Sequence, residues 1–329
     1  MTAKTLLLEG LSARPATEAD FASIYEMTRA YELAHDGKAE TALEDIRETH
    51  LAPEVDLAKD SCLVFNQAGQ LVGYMRLKQE QYAKFTLLLR VQEEYPDPRL
   101  GEYLLELAET WARERMAQAE PDVRVILTSL LPSTDAVGRH RYEHAGLRES
   151  RRYWEMELEM NEAPPVPIWP EGIALHPYVP GRDERLAYDL VETAFQDIWG
   201  NIPLRFEEFR HRTVERPTFD PSLWFLAYQG EQAVGAALCR NEGESGWIDD
   251  LAVLRLARGK GLGTTLLLHA FGELYRRGQC KVRLDVDAQS LTGAQRIYQR
   301  AGMQTVKELV RYEKELRAGV QLSTSELRK

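Results

Sequence analysis

Apolar positions along the chain follow two rhythms. Spacings of three and four mark amphipathic helices at 20–34 and 182–197. Short apolar runs bounded by turn residues mark strands. In the second half these are 224–228 and 233–239, joined by a turn at Gly230, and then 247–253. A glycine-rich loop and a helix follow, running to about 275. A strand over 281–286, a helix over 293–300 and a last strand over 305–312 complete the series. Helices mixed with a largely antiparallel sheet predict an α+β (mixed α/β) layer fold.

The series is written twice. Leu71-Val-Gly-Tyr74 returns as Ala233-Val-Gly-Ala236, 162 positions later, and the same offset pairs Val91 with Val253 and Gly101 with Gly263. Tyr142 and Gly146 return as Tyr298 and Gly302 at an offset of 156, so the first copy carries six more residues between its loop and its last strand. Between the copies stand Pro164, Pro165, Pro167 and Pro170. Such a run continues neither helix nor sheet and reads as a stiff linker. The expected domains are therefore 1–160 and 172–316, with a linker over 161–171 and a polar, frayed tail over 317–329.

The most specific chemistry lies at 247–275. Glycines let a backbone turn sharply beside a ligand, and the free N–H groups of a helix start favour an anion. Arg258 and Lys260 add positive charge, and a pyrophosphate is the simplest ligand. A nucleoside triphosphate loop requires Ser or Thr after its Lys, and here Gly261 follows Lys260. A dinucleotide loop requires a third glycine where Thr264 stands. What remains is Arg-x-x-Gly-x-Gly (Arg258, Gly261, Gly263) after a strand ending Leu251-Ala252-Val253. Together with the segment 284–303, which carries Ser290, Ala294, Ile297 and Tyr298, it resembles the GNAT superfamily of acetyl-CoA-dependent N-acetyltransferases, in its tandem two-domain form.

That resemblance covers nearly the whole chain and implies two tandem GNAT-like domains, each a largely antiparallel mixed sheet flanked by helices. It implies acetyl-CoA as co-substrate. Arg258, Gly259, Lys260, Gly261, Leu262, Gly263 and Thr264 would hold its pyrophosphate. Main-chain atoms of Leu251, Ala252 and Val253 would hold the pantetheine and the acetyl oxygen. Ser290, where the family commonly has Asn, and Ala294 would flank the same arm. Tyr298 takes the position of the family's proton donor to sulfur. For the base, Asp249 and Asp250 are the candidates. Strict alternation puts Asp249 on the face of Trp247, Leu251 and Val253 and favours it, while an ion pair to Arg240 or Arg255, or a base that is only a water chain, are the alternatives. The first copy has Pro96, Asp97, Pro98, Arg99 and Glu102 at the loop and Leu87 and Leu88 in place of the carboxylates. Prolines remove N–H donors and carboxylates repel phosphate, so this copy reads as a scaffold. The acceptor is expected beside Phe195, Asp197 and Trp199, where aromatics and a carboxylate suit a cationic amine.

Composition narrows the picture. The chain has 329 residues, 44% hydrophobic and 28% charged, which predicts two ordinary globular domains. The run Leu6-Leu7-Leu8 is too short for a signal peptide and no stretch approaches a membrane span, which predicts a cytoplasmic protein. A net charge of −11 argues against nucleic acid as the main partner. Three scattered cysteines (Cys62, Cys239, Cys280) and seven histidines show no metal spacing, so no metal is expected. With no cysteine near either signature, the expected reaction is direct acetyl transfer to the primary amine of a small molecule. The alternative is a non-catalytic acyl-CoA-binding sensor or interaction protein. Oligomeric state is left open by the sequence.

Overall fold

The computed structural model describes residues 9–322, apart from Pro53, Glu94 and Pro96. Leu6, Leu7, Leu8, Pro96 and the tail beyond 322 thus lie outside the described residues. In chain order the elements are β1 (Ser12–Arg14), α1 (Phe21–Asp36), α2 (Leu43–His50), the single turn α3 (Leu57–Asp60), β2 (Ser61–Phe65), β3 (Leu71–Glu80), β4 (Lys84–Val91), α4 (Arg99–Arg115), β5 (Val125–Pro132), α5 (Ala136–His144) and β6 (Arg148–Glu159). The second series is β7 (Ile173–Pro177), α6 (Glu184–Phe195), α7 (Phe206–Arg212), β8 (Trp224–Gln229), β9 (Gln232–Glu242), β10 (Ser245–Val253), α8 (Leu262–Arg276), β11 (Lys281–Asp287), α9 (Ala294–Arg300) and β12 (Gln304–Arg317).

Two compact units result, and their borders differ from those expected. Unit 1 takes the described residues up to Arg152 together with Leu309–Leu322; unit 2 is Tyr153–Glu308. Each repeat gives most of its last strand to the other sheet. In unit 1 the order is β1-β2-β3-β4-β5-β12, with Leu309–Arg317 antiparallel to β5. In unit 2 it is β6-β11-β10-β9-β8-β7, with β6 antiparallel to β11 from Tyr153 to Glu159. Ion pairs suit each guest strand to its host: Lys314–Glu109 at 2.7 Å and Arg124–Glu313 at 2.7 Å in unit 1, Arg283–Glu157 at 2.6 Å in unit 2. The tail is also pinned at its start. Val320 N donates to Asp122 O at 2.6 Å and Arg124 N to Val320 O at 2.9 Å, so fraying does not begin at 317.

In unit 2 each sheet face is covered by helices whose apolar stripes the sequence rhythm marks. Leu262, Leu266, Leu267, Ala270, Phe271 and Leu274 of α8 are buried against one face. Gly235 allows that close packing, because a Cβ there would meet Leu266 at 3.0 Å and Leu262 at 3.2 Å. Ala187, Leu190, Val191 and Ala194 of α6 cover the other face. Burying each large aliphatic side chain is worth about 1.5–3 kcal/mol. The linker end packs on the same unit: Trp169 meets the His269 ring edge-on at 5.7 Å, and Thr265 Oγ1 donates to Ile168 O at 3.1 Å.

Candidate active site

The site begins where two strands part. β10 runs parallel to β11 only from Ser245↔Lys281 to Trp247↔Arg283. On its other edge β10 stays paired with β9 as far as Val253↔Gly235, but the register shifts between Ile248 and Asp250. Asp249 is thus the extra residue of a β-bulge. Beyond it the alternation is reset: Leu251 and Val253 pack with Ile248 on the α8 face, and Ala252 packs on the α6 face. The bulge breaks strict alternation from Trp247, yet Asp249 lines the same cavity as Leu251 and Val253, as expected, and Asp250 does not.

A cavity of about 580 Å³ fills the gap. It is lined by Asp249, Leu251 and Val253, by Arg258, Gly259, Gly261, Leu262, Gly263 and Thr264, by Ser290, Ala294 and Tyr298, and by Phe195 and Trp199. Those predicted residues are therefore brought together. Ala252 is buried elsewhere, Lys260 is exposed, and neither they nor Asp197 and Asp250 are among the lining residues. The sequence reading missed Tyr153, Ile198, Asp285 and Asp287, which also line the cavity. Alternation in Leu284-Asp-Val-Asp287 was the available signal for the two acids, since every second residue shares a face.

Gly261 caps α8 with a φ of +86° and offers no side-chain cap. A Cβ would meet nothing within 4 Å there, so glycine is needed for the left-handed backbone and not for space. The unpaired N–H groups of the first turn, at the positive end of the helix dipole, then face the cavity. Arg258 is not free to follow them. Its Nε donates to Val253 O at 2.9 Å, one Nη to Asp197 Oδ2 at 2.5 Å and the other to Ala194 O at 3.0 Å. Three of its five N–H groups thus tie the loop to the end of α6. Asp197 also accepts from Arg255 Nε at 2.8 Å. It is 1% exposed, and hydrogen bonds from Arg255, ahead of those from Arg258, hold its carboxyl at about 2 against the opposing effect of burial. Asp197, expected beside the acceptor, is a buried clamp instead.

Asp249 is likewise occupied. It pairs with Arg240 and lies 4.0 Å from Arg216. Asp250 is half-buried, and burial, then the nearby Glu192, pushes its carboxyl up to about 7 against the pull of Arg216. Glu192 on α6, unremarked in the sequence, is raised by burial as well, and its Oε2 has no hydrogen-bond partner among the described residues. Tyr298 is 7% exposed; burial, then Asp250, pushes its hydroxyl up to about 12, so it stays protonated at neutral pH. Ser290 Oγ lies 3.1 Å from Thr292 Oγ1 and accepts from Ala294 N at 3.4 Å, bracing the start of α9. No cysteine lines the cavity. Among the described residues no group of His, Cys, Asp or Glu is placed to hold a metal ion, and no helix is long and apolar enough to cross a membrane.

Known proteins share this arrangement. The profile of the acetyltransferase (GNAT) family matches residues 187–303, the heart of unit 2. A GCN5-related N-acetyltransferase from Sphaerobacter thermophilus superposes with a TM-score of 0.83 at 32% identity, over 97% of this chain and 100% of that one. A mycothiol acetyltransferase from Catenulispora acidiphila is 27% identical over 89% of this chain and 94% of its own length. Another, from Thermobispora bispora, is 34% identical over 48% of this chain, and that match spans about half, 55%, of the relative.

Proposed function

The chain belongs to the GNAT family of acetyltransferases, and on that premise we propose that unit 2 passes an acetyl group from acetyl-CoA directly to the primary amine of a small molecule. The observation that carries this reading is the parting of β10 from β11 into a cavity that ends at the bare N-terminus of α8. Bound acetyl-CoA would supply an activated thioester. Main-chain N–H groups of Gly261, Leu262, Gly263 and Thr264 would take its pyrophosphate, with Gly259 and Gly261 shaping the loop. β10 keeps no partner along its β11 edge beyond Trp247, so main-chain groups around Leu251 and Val253 can hold the pantetheine arm and the charge that develops on the acyl oxygen. A reacting amine must be neutral, and a carboxylate that titrates at about 7 is suited to receive its proton. On that ground we take Asp250, the chain neighbour of the cavity-lining Leu251, as the base, while Asp249 lines the cavity but is paired with Arg240. Tyr298, protonated and lining the cavity, would donate to the departing thiolate. Arg258, which lines the cavity, and the exposed Lys260 would add positive charge beside the pyrophosphate.

Phe195 and Trp199 give the acceptor an aromatic wall. The mycothiol acetyltransferases among the relatives make an acceptor of the mycothiol class the first to test, beside simple amines and polyamines. The experiment is thiol release from acetyl-CoA with and without an amine library. Amine-dependent release that yields acetylated amine supports the reading. Tight coenzyme binding with no turnover for any amine would instead favour a sensor.

A further inference from the structure

The cavity fills the gap between β10 and β11, and strand register tells its two sides apart. Met156, Leu284 and Val286 are buried in the core that α8 covers, and Met156 and Trp154 stand opposite Leu284 and Val286 in the β6–β11 pair. Alternation therefore turns Tyr153 of β6, with Asp285 and Asp287 of β11, to the other face of the sheet, where α6 lies. Ion pairs agree with that face, since Arg283 lies 2.6 Å from Glu157 and 3.7 Å from Glu155. Ala294, Ile297 and Tyr298 of α9 pack on the α8 side instead. Asp250 stands opposite Leu238, which is buried in the α6 core, so it too turns to the α6 side. In the acetyl-transfer reading the coenzyme lies along α8 and α9. That leaves the acceptor the α6 side.

Two aromatic walls flank the opening there. Phe195 packs with the α6 core, Trp199 follows it in the chain, and both line the cavity. In the strand order β6-β11-β10-β9, α6 packs over β9 and β10. Tyr153, half-buried at the start of the β6–β11 pair, lines the cavity from the other side. A ring held between such walls gains face or edge contacts beyond plain burial of area, and a chain does not. Resting on the acetyl-transfer reading, we propose that Tyr153 is a specificity-determining residue and that the acceptor is a primary amine on a ring-bearing body. This gives the first repeat a share in the site, because β6 closes that repeat in sequence yet belongs to unit 2 from Tyr153 onward.

2-Phenylethylamine, 2-cyclohexylethylamine and 1-hexylamine are the probes, with one amine each on a planar ring, a puckered ring and a chain. Each is titrated calorimetrically into the full chain saturated with coenzyme A, as wild type, Tyr153→Phe and Tyr153→Leu. In wild type at least one ring amine should bind about three- to tenfold tighter than hexylamine, the range one added aromatic contact allows. Which ring is preferred separates an arene from a sugar-like body. Tyr153→Leu keeps apolar bulk without a ring face. It should erase the preference and leave hexylamine and coenzyme affinity unchanged, while Tyr153→Phe should retain the preference. The proposal is overturned if wild type prefers neither ring, if Tyr153→Leu keeps the preference, or if Tyr153→Phe loses it as fully as Tyr153→Leu does. A fall in coenzyme affinity in step with amine affinity would also overturn it, by placing Tyr153 on the pantetheine arm. Tyr153→Met is carried in parallel under the same criteria, in case Tyr153→Leu does not fold. Absence of acetyl transfer with the ring preference intact would sink the reaction and leave the role of Tyr153 standing.

Discussion

The two units carry the same strand order around their central seam, yet by the repeat offsets the seam of unit 1 stays paired two residues further than that of unit 2. In unit 1 β4 pairs with β5 through Leu87↔Ser129, and β3 and β4 stay in register from Gly73↔Val91 to Glu80↔Lys84 without a bulge. Ser129 Oγ donates to Leu87 O at 2.7 Å and lies 2.9 Å from the buried Tyr142 hydroxyl. By the repeat offsets, Leu87 corresponds to Asp249 and Ser129 to Asp285. A donor that stitches two strands has become an acid that cannot donate when ionised, opposite a second acid on a bulge. The rest of unit 1 fills what unit 2 leaves empty. Arg141 lies so close over Gly101 that a Cβ there would sit 2.2 Å from its Nε, whereas Gly263 has only Ile297 and Val253 as neighbours, at 3.6 and 3.8 Å. Tyr74 and Arg90, the latter 3.9 Å above the Tyr31 ring, stand where unit 2 has Ala236 and Ala252. Arg99, the one residue of the first loop suited to phosphate, is engaged with Asp97 at 2.5 Å. Unit 1 thus differs from unit 2 in filled space at Gly101 and in a longer pairing of its central strands, as well as in the residues of its loop.

The comparison breaks most sharply if the acid–base pair of unit 2 proves no more important than its counterpart in unit 1. Asp250→Asn should lower kcat by about 10²–10⁴-fold with coenzyme affinity intact, while Tyr142→Phe in unit 1 leaves kcat unchanged. The pH profile gives the sign. The base works ionised, so kcat/KM should rise through pH about 7 and level off above it, and Asp250→Asn should abolish that limb. Since its folded pKa is raised, Asp250 costs stability as pH rises from the unfolded value of 3.8 through about 7. Asp250→Asn should therefore raise the denaturation midpoint at pH 8. An unchanged pH–rate profile in the variant would remove Asp250 from the chemistry.

Next come the two loops. Asp197 is a buried charge shared by Arg255 and Arg258, so Asp197→Ala should destabilise unit 2 by about 3–5 kcal/mol and weaken coenzyme binding as the loop loosens. The exposed pair in the first loop is different: Arg99→Ala should leave both stability and coenzyme affinity unmoved. Urea denaturation followed by tryptophan fluorescence, with calorimetry for the coenzyme, measures both. An inert Asp197→Ala would mean that the clamp does not hold the loop.

A smaller effect is confined to unit 1. His50, 1% exposed, has its ring nitrogens on Ile46 O at 2.6 Å and on the Tyr74 hydroxyl, and burial, then Arg76, pushes it down to about 4. A depressed folded pKa means that the unfolded chain takes up the proton first. Stability is full above 6.5 and is lost as pH falls towards 4, by about 3 kcal/mol in all. Amide exchange at pH 5 and 7 should show β2 and β3 losing protection at the lower pH while β9 and β10 keep theirs. Equal loss in both units would remove His50 as the cause.

The repeat, the strand order and the glycine loop were legible because they rest on local rules: alternation, helical spacing and left-handed glycines. Three features were not. The exchange of last strands depends on which sheet edge receives Leu309–Arg317, and alternation within a strand is silent about that. The bulge at Asp249 adds one residue without a glycine or proline to mark it, so strict alternation along the strand could not foresee it. Asp197 was expected beside the acceptor because a carboxylate among aromatics suits an amine, but it is buried as the partner of Arg258, which itself lines the cavity. Charge in a sequence shows a demand for a counter-charge and not where that demand is met.

The seam supplies the smallest prediction. Ser129→Ala removes the donor to Leu87 O and the neighbour of the Tyr142 hydroxyl, both inside unit 1. A neutral bond of this kind is worth about 1 kcal/mol net, and more only if the carbonyl and the phenol are left unsatisfied without water. The denaturation midpoint should therefore fall slightly, with acetyl transfer unchanged. Leu87 and Ser129 are also held by the main-chain ladder of β4 and β5, so the strands should stay together. If Ser129→Ala instead let coenzyme A bind a second time per chain, counted by calorimetric stoichiometry, one hydroxyl would be what keeps the first seam shut. The packing of Arg141, Arg90 and Tyr74 would then be a consequence of closure and not its cause.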